Sequence, residues 1–222
     1  MAQPLEIEIL KASLKDENLE NYPYFVETGT HVGDTIFYLE RWFKHLHTIE
    51  LKEELYNLTY KFYNDREFAI GKGWERNHDL LEHNKIDFYL GDSAKRIKDV
   101  IKKLDDNTIF FLDAHRSGGE GLTETTYVKG KETPLKEEME CIKNKFLHKA
   151  IIIIDDCRLL GGAEHGNWKD ITRKSLLKIL GNRVIRDFYL PSAEDTKDRL
   201  VIHITPLRIP VTLLKYKRKK IN

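Results

Sequence analysis

The sequence predicts an α/β domain built on a mostly parallel sheet, and three observations carry that prediction. Short runs rich in β-branched and aromatic residues alternate with segments of helical spacing along the chain. Two of these runs, IFFL at 109–112 and AIIII at 150–154, are apolar throughout, which is the pattern of central strands covered on both faces. A length of 222 residues suits one domain, spanning 1–222, that buries roughly 70% of its unfolded surface. No internal repeat or low-complexity segment interrupts it.

Residues 1–22 form an N-terminal segment with a helical stretch, ILKASLKDENLENY. The first strand is YFVET (24–28), followed by the turn GTHVGDT and the amphipathic helix TIFYLERWFKH. Strand LHTIEL (46–51) and helix KEELYNLTYKFYN come next, then a helix and loop in DREFAIGKGWERNHDLLEHNK. IDFYLGDS (86–93) is the third strand, AKRIKDVIKKL the third helix and NTIFFLDA (107–114) the fourth strand. Residues 116–133, rich in Gly, Thr and charge, read as a long loop. Pro134 then suits the first turn of the helix PLKEEMECIKNKF. KAIIIIDD is the fifth strand, a helix lies around 168–180, and VIRDFYL (184–190) and RLVIHITPL (199–207) complete seven strands. Alternation places helices on both faces of the sheet. The short polar link PSAEDTKD makes the last two strands an antiparallel hairpin.

Charge narrows the function. Lys plus Arg (37) nearly balances Asp plus Glu (36), which argues against a nucleic-acid or membrane partner. The local exception is KYKRKK at 215–220, within a basic tail over 208–222, read as a solvated end. Two cysteines are too few for a disulfide framework and suit a reducing compartment. MAQPLEIEIL lacks a basic flank followed by an apolar core, so no signal peptide is expected, and no apolar run approaches a membrane span. The expectation is a soluble, cytoplasmic protein.

Ligands of open α/β sheets bind beyond the carboxyl ends of the strands, so the strand ends carry the chemistry. The first gives VETGTHVGDT, with Glu27 before Gly29, Thr30 and Gly33 and with Thr35 opening the helix. The spacing is not the G-x-G-x-x-G of dinucleotide binders, which disfavours a dehydrogenase. An acid there suits a cationic or hydroxyl-rich ligand. The second strand ends at Glu50, placed to accept from two ribose hydroxyls, and the third at Gly91–Asp92–Ser93, where an acid can take an adenine amino group.

This set resembles the class I S-adenosylmethionine-dependent methyltransferases, whose first motif is an acid-x-Gly-x-x-x-Gly turn. The resemblance spans about residues 24–207. It implies a Rossmann-like, seven-stranded fold and S-adenosylmethionine bound by Glu27, Gly29, Thr30, Gly33, Thr35, Glu50, Asp92, Ser93 and Asp113. One departure is the long stretch between Glu50 and Asp92, an insertion over 65–85 that includes Gly71, Gly73 and Trp74 and could cover the cofactor or be idle.

Asp113 closes the fourth strand, and Asp155 and Asp156 close the fifth. Adjacent strands lie about 4.8 Å apart, so the three carboxylates can converge. Either some are protonated or a cation sits between them. All-oxygen ligands favour Mg²⁺, Mn²⁺ or Ca²⁺ over zinc or copper. The same triad is found in a metal-dependent branch that includes catechol O-methyltransferases and sugar O-methyltransferases. In the sugar enzymes an acid two residues beyond the first Asp is the proposed base. Here that position is His115. The catechol enzymes place a lysine one residue further on, where this chain has Arg116, which cannot act as a base at pH 7.

The resemblance therefore implies a metal-dependent (Mg²⁺ or Mn²⁺) methyltransferase of a sugar hydroxyl, such as rhamnose in a glycan. His115 would be the base, Arg116 or the Gly118–Gly119 loop would hold the acceptor, and 116–133 would serve as a lid. A catechol-like or other small-molecule acceptor is the alternative. From another class comes a non-catalytic nucleotide-binding partner of a glycosyltransferase. Nucleic-acid methylation is disfavoured, because no N/D-P-P-Y motif follows the fourth strand.

Plainer readings accompany several residues. Asp155–Asp156 could cap the next helix. His31 reads as a backbone-shaping residue, Cys157 as inert, and His45, His47, His78 and His83, which show no convincing metal spacing, as surface residues. Phe37, Tyr38, Trp42 and Phe43 fall at helical spacing, which suits core packing.

Overall fold

The computed structural model describes residues 4–73, 75–115, 132–162 and 166–208. Five parallel strands form the body of the sheet: β1 (Tyr24–Thr28), β2 (His45–Glu50), β3 (Ile86–Leu90), β4 (Thr108–Leu112) and β5 (Ala150–Ile154). Two further strands, β6 (Val184–Leu190) and β7 (Arg199–Ile204), pair antiparallel with each other, and β7 also pairs antiparallel with β5. The resulting order is β3-β2-β1-β4-β5-β7-β6. The chain thus runs outward from β1 to β3, then returns to the other side of β1. The switch between β1 and β4 is where an open α/β sheet leaves a crevice for a ligand.

Period-two alternation sorts the strand residues between two cores. On one face Phe110, Ile152 and Ile202 join Ile97 and Val100 of α6 (Ser93–Ile101), Met139 and Ile142 of α7 (Leu135–Lys145), and Leu176 and Leu180 of α8 (Arg173–Leu180). On the other, Ile109, Phe111, Ile151 and Ile153 join Leu10 of α1 (Ile7–Leu14), Ile36 and Leu39 of α2 (Asp34–Leu39), and Tyr63 of α3 (Glu53–Asn64). Both faces are therefore covered, which is why β5 is apolar at every position and β4 at every position after Thr108. Short helices α4 (Arg66–Gly71) and α5 (Glu75–His78) occupy the insertion before β3.

Two polar ties hold the sheet to its surroundings. Arg183, 4% exposed, donates to the carbonyls of Ile142, Lys143, His148 and Thr205 at 2.9–3.0 Å, and so closes the C-terminal end of α7. Glu17, just after α1, accepts from Tyr22 (2.6 Å) and Lys149 (2.6 Å) and meets His203 of β7 at 3.0 Å.

The structure corrects several expectations. The first helix ends at Leu14 and the helix expected around 168–180 begins at Arg173, the residues between being irregular or tighter single turns. His47 and His78 are buried rather than at the surface: β2 is an interior strand, and His78 packs on Phe62 and His83. Phe43 lies in the core and Phe37 packs against it, but Tyr38, on the solvent side of α2, and Trp42, beyond the helix end at Leu39, are nearly half exposed. Among the described residues no helix is long and apolar enough to cross a membrane.

Candidate active site

The turn after β1 is shaped by residues in the left-handed region. Gly29 (φ +85°) sits so close to β4 that an added Cβ would lie 2.6 Å from the Asp113 carbonyl oxygen. Only glycine permits that approach. His31 (φ 51°) also turns the backbone, and its N–H donates to Glu50 Oε2 at 2.8 Å. This is the backbone-shaping role expected for it. The Lys52 N–H reaches Glu50 Oε1 at 2.8 Å, so Glu50 is held at the end of β2 with lone pairs remaining on both oxygens. Burial pushes its carboxyl above the usual range, against those two N–H groups.

Behind the turn, Thr30 Oγ1 lies 2.5 Å from Thr48 Oγ1, and Thr48 donates to Glu27 Oε2 at 2.9 Å. Glu27 is 2% exposed, and burial drives its carboxyl well above the ordinary value, with Thr48 opposing. It therefore supports the turn from below. Thr35 is engaged elsewhere: its hydroxyl accepts from the Leu5 N–H at 3.0 Å and ties down the N-terminal segment. Asp92 caps α6 by accepting from Ala94 N–H (3.0 Å), and the adjacent Ser93 is buried.

At the ends of β4 and β5 the carboxylates meet cations supplied by the chain itself. His115 Nδ1 is 3.2 Å from Asp113 Oδ1, and its Nε2 is 2.5 Å from Asp156 Oδ2. Asp156 also pairs with Arg158, whose Nη1 lies 2.6 Å from Asp198. Asp155 turns away to Arg199, at 2.9 Å, with both side chains 3% exposed. Trp168, itself buried, packs edge-on to the His115 ring with centroids 5.6 Å apart.

These pairings set the protonation states. Burial alone would lower His115, but the carboxylates of Asp113 and Asp156 override it and push the ring up to about 10. Asp155 is raised to about 7 by burial and by Asp113, against the pull of Arg199. Asp156 moves the other way: burial would raise it, yet His115 and Arg158 hold it below the usual range.

The helix-cap reading of Asp156 fails, since its side chain caps nothing and its φ of 53° is left-handed. Cys157 stays inert, with burial pushing its thiol up and its S–H directed at the Ile154 carbonyl (3.4 Å). Two overlapping donor groups can hold a divalent ion: Asp113, His115 and Asp156, and Asp155, Asp156 and Asp198, each with donor atoms within 4.8 Å of one another. The expected triad is thus divided between them and shares Asp156. Oxygen donors predominate, which fits Mg²⁺ or Mn²⁺. Arg116, Gly118, Gly119 and most of the expected lid lie outside the described residues.

Arg158, Asp198, Arg199 and Trp168 were not expected at the site. A signal existed for one pair. Antiparallel pairing sets Ile154 opposite Leu200, which places Arg199 beside Asp155 and Asp198 just beyond. Seeing it required knowing that β7 lies next to β5.

No family model and no curated protein matches the chain. Solved structures do. The O-methyltransferase from Bacillus cereus, in complex with SAH, is 12% identical, with 92% of this chain and 82% of that one covered at a TM-score of 0.59. The O-methyltransferase TomG from Streptomyces achromogenes, involved in tomaymycin synthesis and in complex with SAM, is 14% identical, covering 89% and 77% at 0.51. At such identities the likeness is one of fold. The chain has the Rossmann-like fold of these O-methyltransferases, with the expected seven-stranded, mostly parallel sheet, helices on both faces and antiparallel C-terminal pair.

Proposed function

We propose that this protein is an intracellular S-adenosylmethionine-dependent O-methyltransferase, assisted by Mg²⁺ or Mn²⁺, whose acceptor is a sugar hydroxyl such as that of rhamnose in a glycan. The observation that carries the reading is the contact of the Gly29 turn with the Asp113 backbone, since it sets a nucleotide-type turn beside the Asp113–His115–Asp156 cluster. Glu50 would take the ribose hydroxyls, Asp92 and Ser93 the adenine, and Gly29, Thr30 and Gly33 the chain between them. Glu27 and Thr35 support this arrangement from behind.

Methyl transfer from a sulfonium needs an oxygen nucleophile in line with the methyl group and a place for the hydroxyl proton. Asp113 and Asp156, with Asp155 alongside, would hold the divalent ion, which would supply Lewis-acid polarisation of the acceptor hydroxyls. While Asp113 and Asp156 face it the His115 ring is charged at neutral pH, so it would take the acceptor's proton at a ring nitrogen only once an ion on those carboxylates had displaced its own proton. Asp156 itself is fixed by Arg158, and Trp168 limits rotation of the His115 ring.

A small-molecule acceptor is the second reading, and the match to an enzyme of tomaymycin synthesis favours it. Titrating S-adenosylmethionine by calorimetry, then assaying a rhamnoside and a catechol with Mg²⁺, Mn²⁺ or EDTA, separates the cases. Micromolar binding with rhamnoside turnover that EDTA abolishes supports the proposal. Turnover indifferent to EDTA removes the metal, catechol turnover moves the acceptor, and binding without turnover favours the non-catalytic partner of a glycosyltransferase. Absence of binding overturns the cofactor assignment.

A further inference from the structure

The opposite end of the sheet holds a second cluster of ligating side chains. β2 opens His45-Leu46-His47, and residues two apart on a strand point to the same face. β3 sets Asp87 level with His47. His45 Nε2 and His47 Nδ1 each lie 3.5 Å from Asp87 Oδ2, and one donor atom from each residue lies within 4.8 Å of the others. Tetrahedral zinc with bonds of about 2.0–2.1 Å spaces its ligand atoms about 3.3 Å apart. The three side chains are therefore close to ligating positions.

We propose that His45, His47 and Asp87 form a binding site for a borderline transition-metal cation, with Zn²⁺ the first choice, separate from the acidic cluster at the carboxyl ends of the strands. Two imidazoles and one carboxylate favour zinc over Mg²⁺ or Ca²⁺, which prefer oxygen. His47 is 1% exposed and presents its Nδ1 to Asp87, so it forms the buried wall of the site. His45 (31%) and Asp87 (35%) remain open to solvent, giving an entry path and room for a water ligand. The Tyr89 hydroxyl stands 3.3 Å from both His47 Nδ1 and Asp87 Oδ2 and offers a further oxygen.

The competing cation is Lys103, whose Nζ lies 2.9 Å from Asp87 Oδ2 on a side chain 55% exposed. It can swing into water when a metal arrives. A bound ion would join β2 to β3, the outer strand of the sheet, and leave the methyl-transfer site untouched.

The test is calorimetric titration of Zn²⁺ into the EDTA-stripped full-length protein, with Co²⁺ absorption as a readout of ligand geometry. Asp156→Asn, at the residue that both acidic donor groups share, serves as a background that disables the acidic cluster. The expected result is one equivalent of Zn²⁺ bound in that background and a tetrahedral Co²⁺ spectrum. Affinity should fall at least about tenfold in His45→Ala and in Asp87→Asn, and rise in Lys103→Met, where the competitor is gone. His45 is partly exposed, so its replacement should leave the fold intact, as thermal melting would verify. Affinity unchanged by His45→Ala and Asp87→Asn, or no binding by either wild type or Lys103→Met, would overturn the proposal.

Discussion

His115 Nε2 approaches Asp156 Oδ2 to 2.5 Å while its Nδ1 faces Asp113, so one imidazole bridges the ends of β4 and β5. The ring is raised from its ordinary 6.5 to about 10, against the effect of burial, because both carboxylates favour its charged form. A raised folded-state value contributes stability that is complete below pH 6.5 and is lost as pH rises through about 10. In EDTA, wild-type protein should lose on the order of 5 kcal/mol between those limits, and His115→Gln should lose much less. Melting curves across the window check this, and parallel slopes would refute it.

Gly29→Ala meets two obstacles at once. The backbone is left-handed, and the new methyl would press on the Asp113 carbonyl. Expected is a loss of about 2–4 kcal/mol in stability, together with loss of S-adenosylmethionine binding. Denaturant unfolding and calorimetry read the two effects separately.

Replacing Arg183 with methionine retains apolar bulk but removes the donors to four carbonyls. Buried carbonyls left without partners make this costly, about 3 kcal/mol. The change lies among the residues that end α7 and precede β5 and β6, at the other end of the sheet from the Gly29 turn. Unfolding midpoints should drop while S-adenosylmethionine affinity in the folded protein holds.

Glu17 shows the opposite pH sign to His115. Burial opposes its charge, but Lys149, Tyr22 and His203 outweigh it and bring the carboxyl down from 4.5 to about 2. The associated stability is present above about pH 4.5 and disappears as pH falls towards 2. Glu17→Gln should cost about 1–2 kcal/mol at neutral pH, less than the full shift implies because water still screens the group. Acid unfolding of the variant should be correspondingly less steep.

Strand positions were largely legible because their physics is local. YFVET and VIRDFYL match β1 and β6 residue for residue, and the apolar runs ending in Asp113 and Asp155 marked the central strands. In the candidate site, position was legible where a strand end supplies the group, as at Glu50, Asp92, Asp113 and Asp156. It was hidden where the partner is remote in sequence. Arg199 reaches Asp155 only through the insertion of β7, and Thr48 reaches Glu27 only through β1–β2 register. The buried histidines were misjudged for a similar reason. HLHTIE reads equally well as an edge or an interior strand until neighbours cover it.

That placement of β7 also bears on the order in which the protein takes shape. A chain is made from its N-terminal end, and distant contacts form last. Asp113 and Asp156 emerge with His115 and Arg158 close by in sequence, whereas Asp155 leaves the ribosome well before Arg199, so on the nascent β4–β5 unit it lacks its cation until the final strand slides in between β5 and β6. Docking of β7 completes the sheet and at the same moment neutralises Asp155. Partly synthesised chains should therefore have the Gly29 turn formed and the acidic end of the sheet still open.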